Sequence, residues 1–114
     1  MRTIFLDITT LDKEIIRDLM GFTLTVGLNF RKVNFIEKDN TIKDLLLIET
    51  ETRKEEKALK DKLMTLNIPE MMSSNDKNEI IKDKKRIGIL TLNNNSENNY
   101  ILDKSTGRKF SVVR

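Results

Sequence analysis

The side chains in this sequence that could do chemistry are cations and carboxylates. Two groups of cations lie late in the chain: Lys82, Lys84, Lys85 and Arg86, then Lys104, Arg108, Lys109 and Arg114. Clustered cations attract polyanions, because each phosphate they neutralise releases a condensed counterion. On an extended strand, Lys109 and Ser111 share one face while Phe110 and Val112 share the other. The cations would then line an exposed face backed by core. Arg108 and Lys109 would sit beside the Arg86 end of a neighbouring strand, with Tyr100 as a stacking surface. Lys84, Lys85, Arg86, Arg108, Lys109 and Arg114 are therefore the candidate nucleic-acid contacts. The competing reading is a solvated hairpin whose lysines guard an edge strand against stray pairing. It is preferred, because charge clusters usually serve solvation and the abundance of Lys, Asn and Ile is what AT-rich coding produces.

A carboxylate set supports a third reading. Asp7 ends a first strand, and Glu49 and Glu51 follow a strand that would lie beside it. If they converged, they would hold Mg²⁺ and activate water against a phosphodiester. The plainer role for Asp7 is capping the turn that follows its strand. Met71 and Met72 form an adaptable apolar pair suited to a protein partner, or else pack beneath their own loop. Lys104-Ser105-Thr106-Gly107 has the letters of a phosphate loop in the wrong order and lacks the earlier glycine, so it reads as a hairpin turn. Gly21 and Gly27 are too sparse for a nucleotide-binding turn. The chain has no cysteine and no histidine. Disulfides, thiolate metal sites, Ser-His and Cys-His hydrolysis and imidazole acid–base chemistry are excluded. No cofactor is expected.

These residues must be positioned by elements that hydropathy spacing makes visible. Residues 2–8 read as a buried strand, with Ile4, Phe5, Leu6 and Ile8 nearly continuous. Thr9 or Thr10 would cap a helix carrying Leu11, Ile15, Ile16, Leu19 and Met20 on one stripe, stopped by Gly21. Residues 22–26 fit either of two readings: the helical stripe continues through Phe22, Thr23 and Val26, while the alternation and the run of Thr and Val tip the balance toward extended structure. A strand pair around 33–35 and 45–48 is joined by a turn at Asp39-Asn40. A helix over 52–66 places Ala58, Leu59, Leu63 and Leu66 on one face and ends at Asn67 and Pro69. Residues 67–78 read as an exposed connector, with a helical turn over 79–84. The C-terminus reads as a three-stranded meander over 86–92, 100–103 and 109–113, with Gly107 in a left-handed turn.

With 114 residues, the chain suits one domain with a single core. The expected core comprises Ile4, Leu6, Ile15, Leu19, Leu47, Leu59, Leu63, Ile89 and Phe110. The element order predicts an α+β fold: an open mixed or antiparallel sheet with two helices on one face, in ferredoxin-like βαββαβ order plus a C-terminal β-hairpin. Such a fold hosts many functions and names none. Charge is uneven, with seven Lys/Arg against nine Asp/Glu in residues 1–52 and fourteen against nine in residues 53–114. No apolar run reaches the length of a membrane span, and Asp7 interrupts any secretory leader. The expected protein is thus small, cytoplasmic and non-catalytic, acting through a protein partner or self-association, and suited to an accessory role in a phage or mobile element. The alternative is a nucleic-acid-binding module. A Mg²⁺-dependent phosphodiesterase centred on Asp7 ranks third. The sequence points to no small-molecule ligand.

Overall fold

Ile4-Phe5-Leu6 and Leu45-Leu46-Leu47-Ile48 put apolar side chains on both faces of a strand, so their sheet must be covered on both sides. In the computed structural model, which describes residues 2–68, 72–75, 77–82, 84–91 and 99–113, the two covers differ in kind. A pair of helices covers one face. The other face looks into an antiparallel barrel made by the sheet closing on itself.

The strands are β1 (Arg2–Asp7), β2 (Asn29–Ile36), β3 (Ile42–Thr50), β4 (Met72–Ser74), β5 (Glu79–Lys82), β6 (Lys85–Thr91), β7 (Tyr100–Asp103) and β8 (Arg108–Val113). Helix α1 (Lys13–Val26) joins β1 to β2, and α2 (Arg53–Thr65) leads from β3 toward β4. Around the barrel the order is β1-β3-β2-β7-β8-β6-β5-β4, and β4 returns to pair with β1.

The open α+β sheet of ferredoxin-like order does not form. An open sheet β4-β1-β3-β2 would leave β4 and β2 as edges. Instead β5 pairs with β4 and β7 pairs with β2, while β6 and β8 bridge them. Closure gives the edge backbone groups protein partners in place of water. The C-terminal strands are not a meander either, because β8 lies between β6 and β7.

Strand alternation divides the expected single core in two. Ile4, Leu6, Ile8, Leu46 and Ile48 face outward against Leu19 of α1 and Leu59 and Leu63 of α2. Phe5, Val33, Phe35, Leu45, Leu47, Met72, Ile80, Ile101 and Val112 fill the barrel. Ile89, expected in the core, is exposed. Ile87 is an extra residue on β6, since Ile80 faces Gly88 while Ile81 faces Arg86. A bulge of this kind interrupts the alternation of its strand, and beyond it Leu90 packs into the barrel cluster instead. Phe110 is half-buried, at one end of the barrel.

Helix α1 begins one turn later and ends later than its sequence suggests. Its N-cap is Asp12, whose carboxylate accepts from the Glu14 amide at 3.2 Å, rather than Thr9 or Thr10. It continues past Gly21 through residues 22–26, where extended structure was expected. Burial of Thr23 against the sheet overrides its β-propensity. The Thr23 and Thr25 hydroxyls donate to the carbonyls of Met20 (2.7 Å) and Gly21 (2.9 Å), so neither competes with the helix for its own amides. Gly27, at φ 80°, ends it.

Helix α2 follows its sequence signals. The Thr52 hydroxyl accepts from the Glu55 amide at 3.1 Å, and Glu55 accepts from the Glu51 amide at 2.9 Å. Asn67, at φ 55°, turns the chain so that the Ile68 amide donates to the Leu63 carbonyl. Lys62 ties the helices together by its 3.0 Å contact with Asp18 and its position over the Phe22 ring. Leu63→Ala is expected to cost about 2–5 kcal/mol, read as a lower urea midpoint. An unchanged midpoint would contradict its place between α2 and the sheet.

Within the supposed connector, Met72 and Ser73 are buried in β4. Residues 79–84 contain strand β5 and a turn in which Lys84 has φ 64°, not a helical turn. Pro69, Met71, Arg114 and residues 92–98 lie outside the described residues.

Candidate functional sites at the two ends of the barrel

Because strands shorter than the barrel wall leave openings, each end of this barrel is a cleft. The first is lined by Phe35, Met72, Ile87, Val112 and Val113, with Glu37, Lys38, Lys82 and Asn99 also on its wall, and has a volume of about 540 Å³. The ends of β2 and β5 and the starts of β4 and β7 meet there. Its frame is set by a 2.9 Å bond from the Lys38 amide to the Asn99 carboxamide oxygen. Alternation explains its chemistry: Ile80 points into the barrel, so Lys82, two residues on, points the same way at the open end.

Among the described residues, the charge at and beside this mouth is mainly positive. Glu37 is held by Lys43 at 3.3 Å. Lys82 sits opposite Lys85 in the β5–β6 hairpin, and Lys84 and Arg86 flank Lys85. Arg86 approaches Glu79 only to 3.9 Å. Among the described residues, Lys38, Lys82, Lys84 and Lys85 have no carboxylate within ion-pair distance. An apolar floor beside cations that no described carboxylate pairs is a setting that favours an anionic group attached to an apolar one.

The opposite end contains a smaller cavity of about 190 Å³ between Phe5, Leu47, Leu90, Ile101 and Phe110. Arg31 crosses it. Its Nε donates to Asp103 Oδ2 at 2.8 Å, and its Nη1 lies 3.5 Å from Glu49. The Asp103 side chain is 4% exposed, and its other oxygen accepts from the Ser105 hydroxyl (2.7 Å) and amide (3.1 Å). Burial alone would push this carboxyl up. The Ser105 donors and the Arg31 guanidinium more than offset that and hold it below the ordinary carboxylate range. With its acceptors occupied, this end is built as a brace.

The basic residues singled out in the sequence do not form one surface. Ile89 faces Val113 in the β6–β8 ladder, so Arg86 and Arg108 lie at opposite ends, roughly 25 Å apart along the strands. Lys84, Lys85 and Arg86 lie beside the large mouth, and Lys85 and Arg86 line a separate groove that shares Ile87 with it. Arg108 faces Asp103 across β7–β8 at the braced end, and the Lys109 ammonium lies 5.3 Å from the Tyr100 ring centre, occupying the proposed stacking surface. Met72 lines the floor of the large mouth. Met71 and Arg114 fall outside the described residues.

The carboxylates do not converge. Asp7 faces Leu45 and Glu49 faces Thr3, some 13 Å apart along the ladder. Asp7 accepts from the Thr9 amide at 3.0 Å, closing the turn after β1. Among the described residues, no three His, Cys, Asp or Glu side chains are grouped to hold a metal ion. None of their helices is long and apolar enough to cross a membrane.

Sequence reading placed Lys82 in a basic cluster without making it a candidate contact, and missed Lys38 and Arg31. Lys82 carries a local signal, its two-residue spacing from Ile80, once residues 79–82 are taken as strand. Lys38 and Arg31 carry none, because only the pairing of β2 with β7 gives them their neighbours. Compared with known protein families, curated proteins and solved structures, the chain matches none. The geometry of the two ends therefore carries the functional reading.

Proposed function

We propose that this is a non-catalytic cytoplasmic binding protein that engages a protein partner at the large basic mouth of its barrel. The observation that carries this reading is the combination at one opening of an apolar floor, made by Phe35, Met72, Ile87 and Val112, with lysines that have no described ion-pair partner. Apolar floors reward burial of a side chain, and the rim selects the charge around it. Nucleic acid fits less well. Its affinity comes from phosphates tracked along a continuous cationic surface, and here the two cation groups are split between opposite ends of the β6–β8 ladder.

The test compares wild type with Lys38→Glu/Lys82→Glu on arrays of peptides of mixed composition at ~150 mM salt. Wild type is expected to retain a subset rich in acidic and apolar residues, and the double variant to lose it by tenfold or more (~1.4 kcal/mol). Its urea midpoint should move little, since such surface changes usually cost within about 0.5 kcal/mol each. Micromolar or tighter binding of an oligonucleotide by wild type at that salt, with no peptide retained, would make this a nucleic-acid-binding protein instead.

A further inference from the structure

Alternation gives the braced end of the barrel a second property. Phe5, Val33, Leu47, Met72 and Ile101 face the barrel interior. Two residues away on the same strands, and therefore on the same faces, stand Thr3, Arg31, Glu49, Ser74 and Asp103. All five line the small cavity as a polar collar, while Phe5, Val33, Leu47, Leu90, Ile101 and Phe110 form its depth. The ladder fixes the level of the collar, since Thr3 faces Glu49 on β3 and Ser74 on β4. The collar holds two carboxylates against one guanidinium. Arg31 is satisfied by Asp103 at 2.8 Å, so the uncompensated charge belongs to Glu49. Among the described residues, the Glu49 carboxylate has one polar contact, the 3.5 Å approach of Arg31 Nη1, and its side chain is 22% exposed. Arg108 faces Asp103 across the ladder but is exposed and forms no ion pair among the described residues.

We propose that this cavity is a binding site for a small organic ammonium ion, a primary amine joined to a single aromatic ring by a short arm. The site is separate from the large mouth and does not depend on what the mouth binds. Size selects the ring. A dry cavity of about 150 Å³ lined by Leu, Ile and Phe takes benzene, and this one, of about 190 Å³, has the same kinds of side chain in its depth. Distance selects the arm. Glu49 lies two residues beyond Leu47 on β3, about 7 Å, a step that two methylenes and an ammonium span from a ring seated beside Leu47. Charge selects the ammonium. A neutral ring closing the cavity would strip water from Glu49 and leave its carboxylate without a donor. An ammonium brings three donors to replace that water, and Ser74 and Asn78 add neutral oxygens on the same lining. An organic anion would meet Glu49 and Asp103 together and be repelled. A divalent metal finds too few ligands, because both Asp103 oxygens are already engaged and Glu49 stands alone.

The experiment titrates the isotope-labelled chain with phenethylammonium chloride at ~150 mM salt, where fully exposed charges are screened. Two comparison ligands share its ring: hydrocinnamate, whose two-carbon arm ends in a carboxylate, and toluene, which has no charge. Calorimetry reads affinity, and backbone amide shifts read position. Phenethylammonium is expected to bind saturably with a Kd of about 1 mM or tighter. Its shifts should centre on Glu49, Leu90, Ile101 and Phe110. Hydrocinnamate and toluene should bind about tenfold more weakly or not at all. Glu49→Gln keeps the shape of the side chain and removes its charge, so it should weaken phenethylammonium by about tenfold or more while the amide spectrum stays native. Equal affinity for hydrocinnamate and phenethylammonium, or unchanged binding by folded Glu49→Gln, would remove Glu49 from recognition and overturn the proposal. Shifts centred on Lys38, Lys82 and Ile87 would put the probe in the large mouth and overturn it equally. No saturable binding up to about 10 mM would end it outright. If Glu49→Gln loses its native spectrum, the preference of wild type between ammonium and carboxylate, with the position of the shifts, decides the question.

Discussion

Arg31→Met is expected to destabilise the protein by about 3–5 kcal/mol near neutral pH, because it leaves the Asp103 carboxylate buried without its cation. The reverse change should cost less. Asp103→Asn leaves Arg31 with a side chain that is 41% exposed and still within 3.5 Å of Glu49, so the orphaned charge is partly solvated. Its loss is about 2–3 kcal/mol, on the scale of the hydrogen bonds given up to Ser105 and Arg31. The pH dependence provides a second readout. In the native protein the Asp103 carboxyl is held below its ordinary value. A depressed folded pKa contributes stability that is present above the unfolded value of about 3.9 and lost as pH falls through the folded one. Removing Arg31 leaves desolvation less opposed and moves that carboxyl upward. Urea midpoints of wild type and Arg31→Met should therefore converge as pH is lowered from about 7 to about 3. A gap that stays constant over that range would mean that the Arg31–Asp103 contact adds nothing to stability.

Phe5→Ala is expected to cost about 3–5 kcal/mol, comparable with the whole stability of many small domains. Phe5 is 2% exposed and belongs to the barrel's own cluster, with Val33, Leu47, Met72 and Ile101 around it. A closed wall limits how far neighbours relax into the vacated space, so the cavity contribution should be retained on top of the lost transfer energy. Met64→Ala provides the contrast: Met64 is 76% exposed, and its truncation should stay within about 0.5 kcal/mol. Equal effects at the two positions would mean that the barrel interior is not a packed core.

At the functional end, the sequence offered the right residue types but not their grouping. Lys84, Lys85, Arg86 and Met72 were visible as candidates, and all four lie at or beside the large mouth. Arg108 and Lys109, read together with them, sit at the other end because β8 runs antiparallel to β6. Met72 was read as part of an exposed connector, since a three-residue strand following Pro69 leaves almost no alternation to detect. Asp7 and Glu49 appeared convergent only while the offset between β1 and β3 was unknown.

What the sequence determined unaided is what depends on neighbours within about one helical turn or one strand. The Thr52–Glu55 cap, the left-handed Asn67 and Gly107, the leucine face of α2 and the two-sided apolar runs of β1 and β3 all follow from local geometry. The tertiary structure alone decided the rest. Whether a sheet stays open or closes depends on which strands meet at its edges, and the pairings β4–β5 and β2–β7 have no local signature. Residues 22–26 became helix because burying Thr23 against the sheet outweighs a propensity difference of about 1 kcal/mol or less per residue. Ile89 and Leu90 exchanged places because one bulged residue reverses a strand's alternation. Arg31 met Asp103, and Lys38 came to share a mouth with Lys82, through the registers of strands distant in the chain. Those registers reflect the packing free energy of the whole barrel, which no short segment contains.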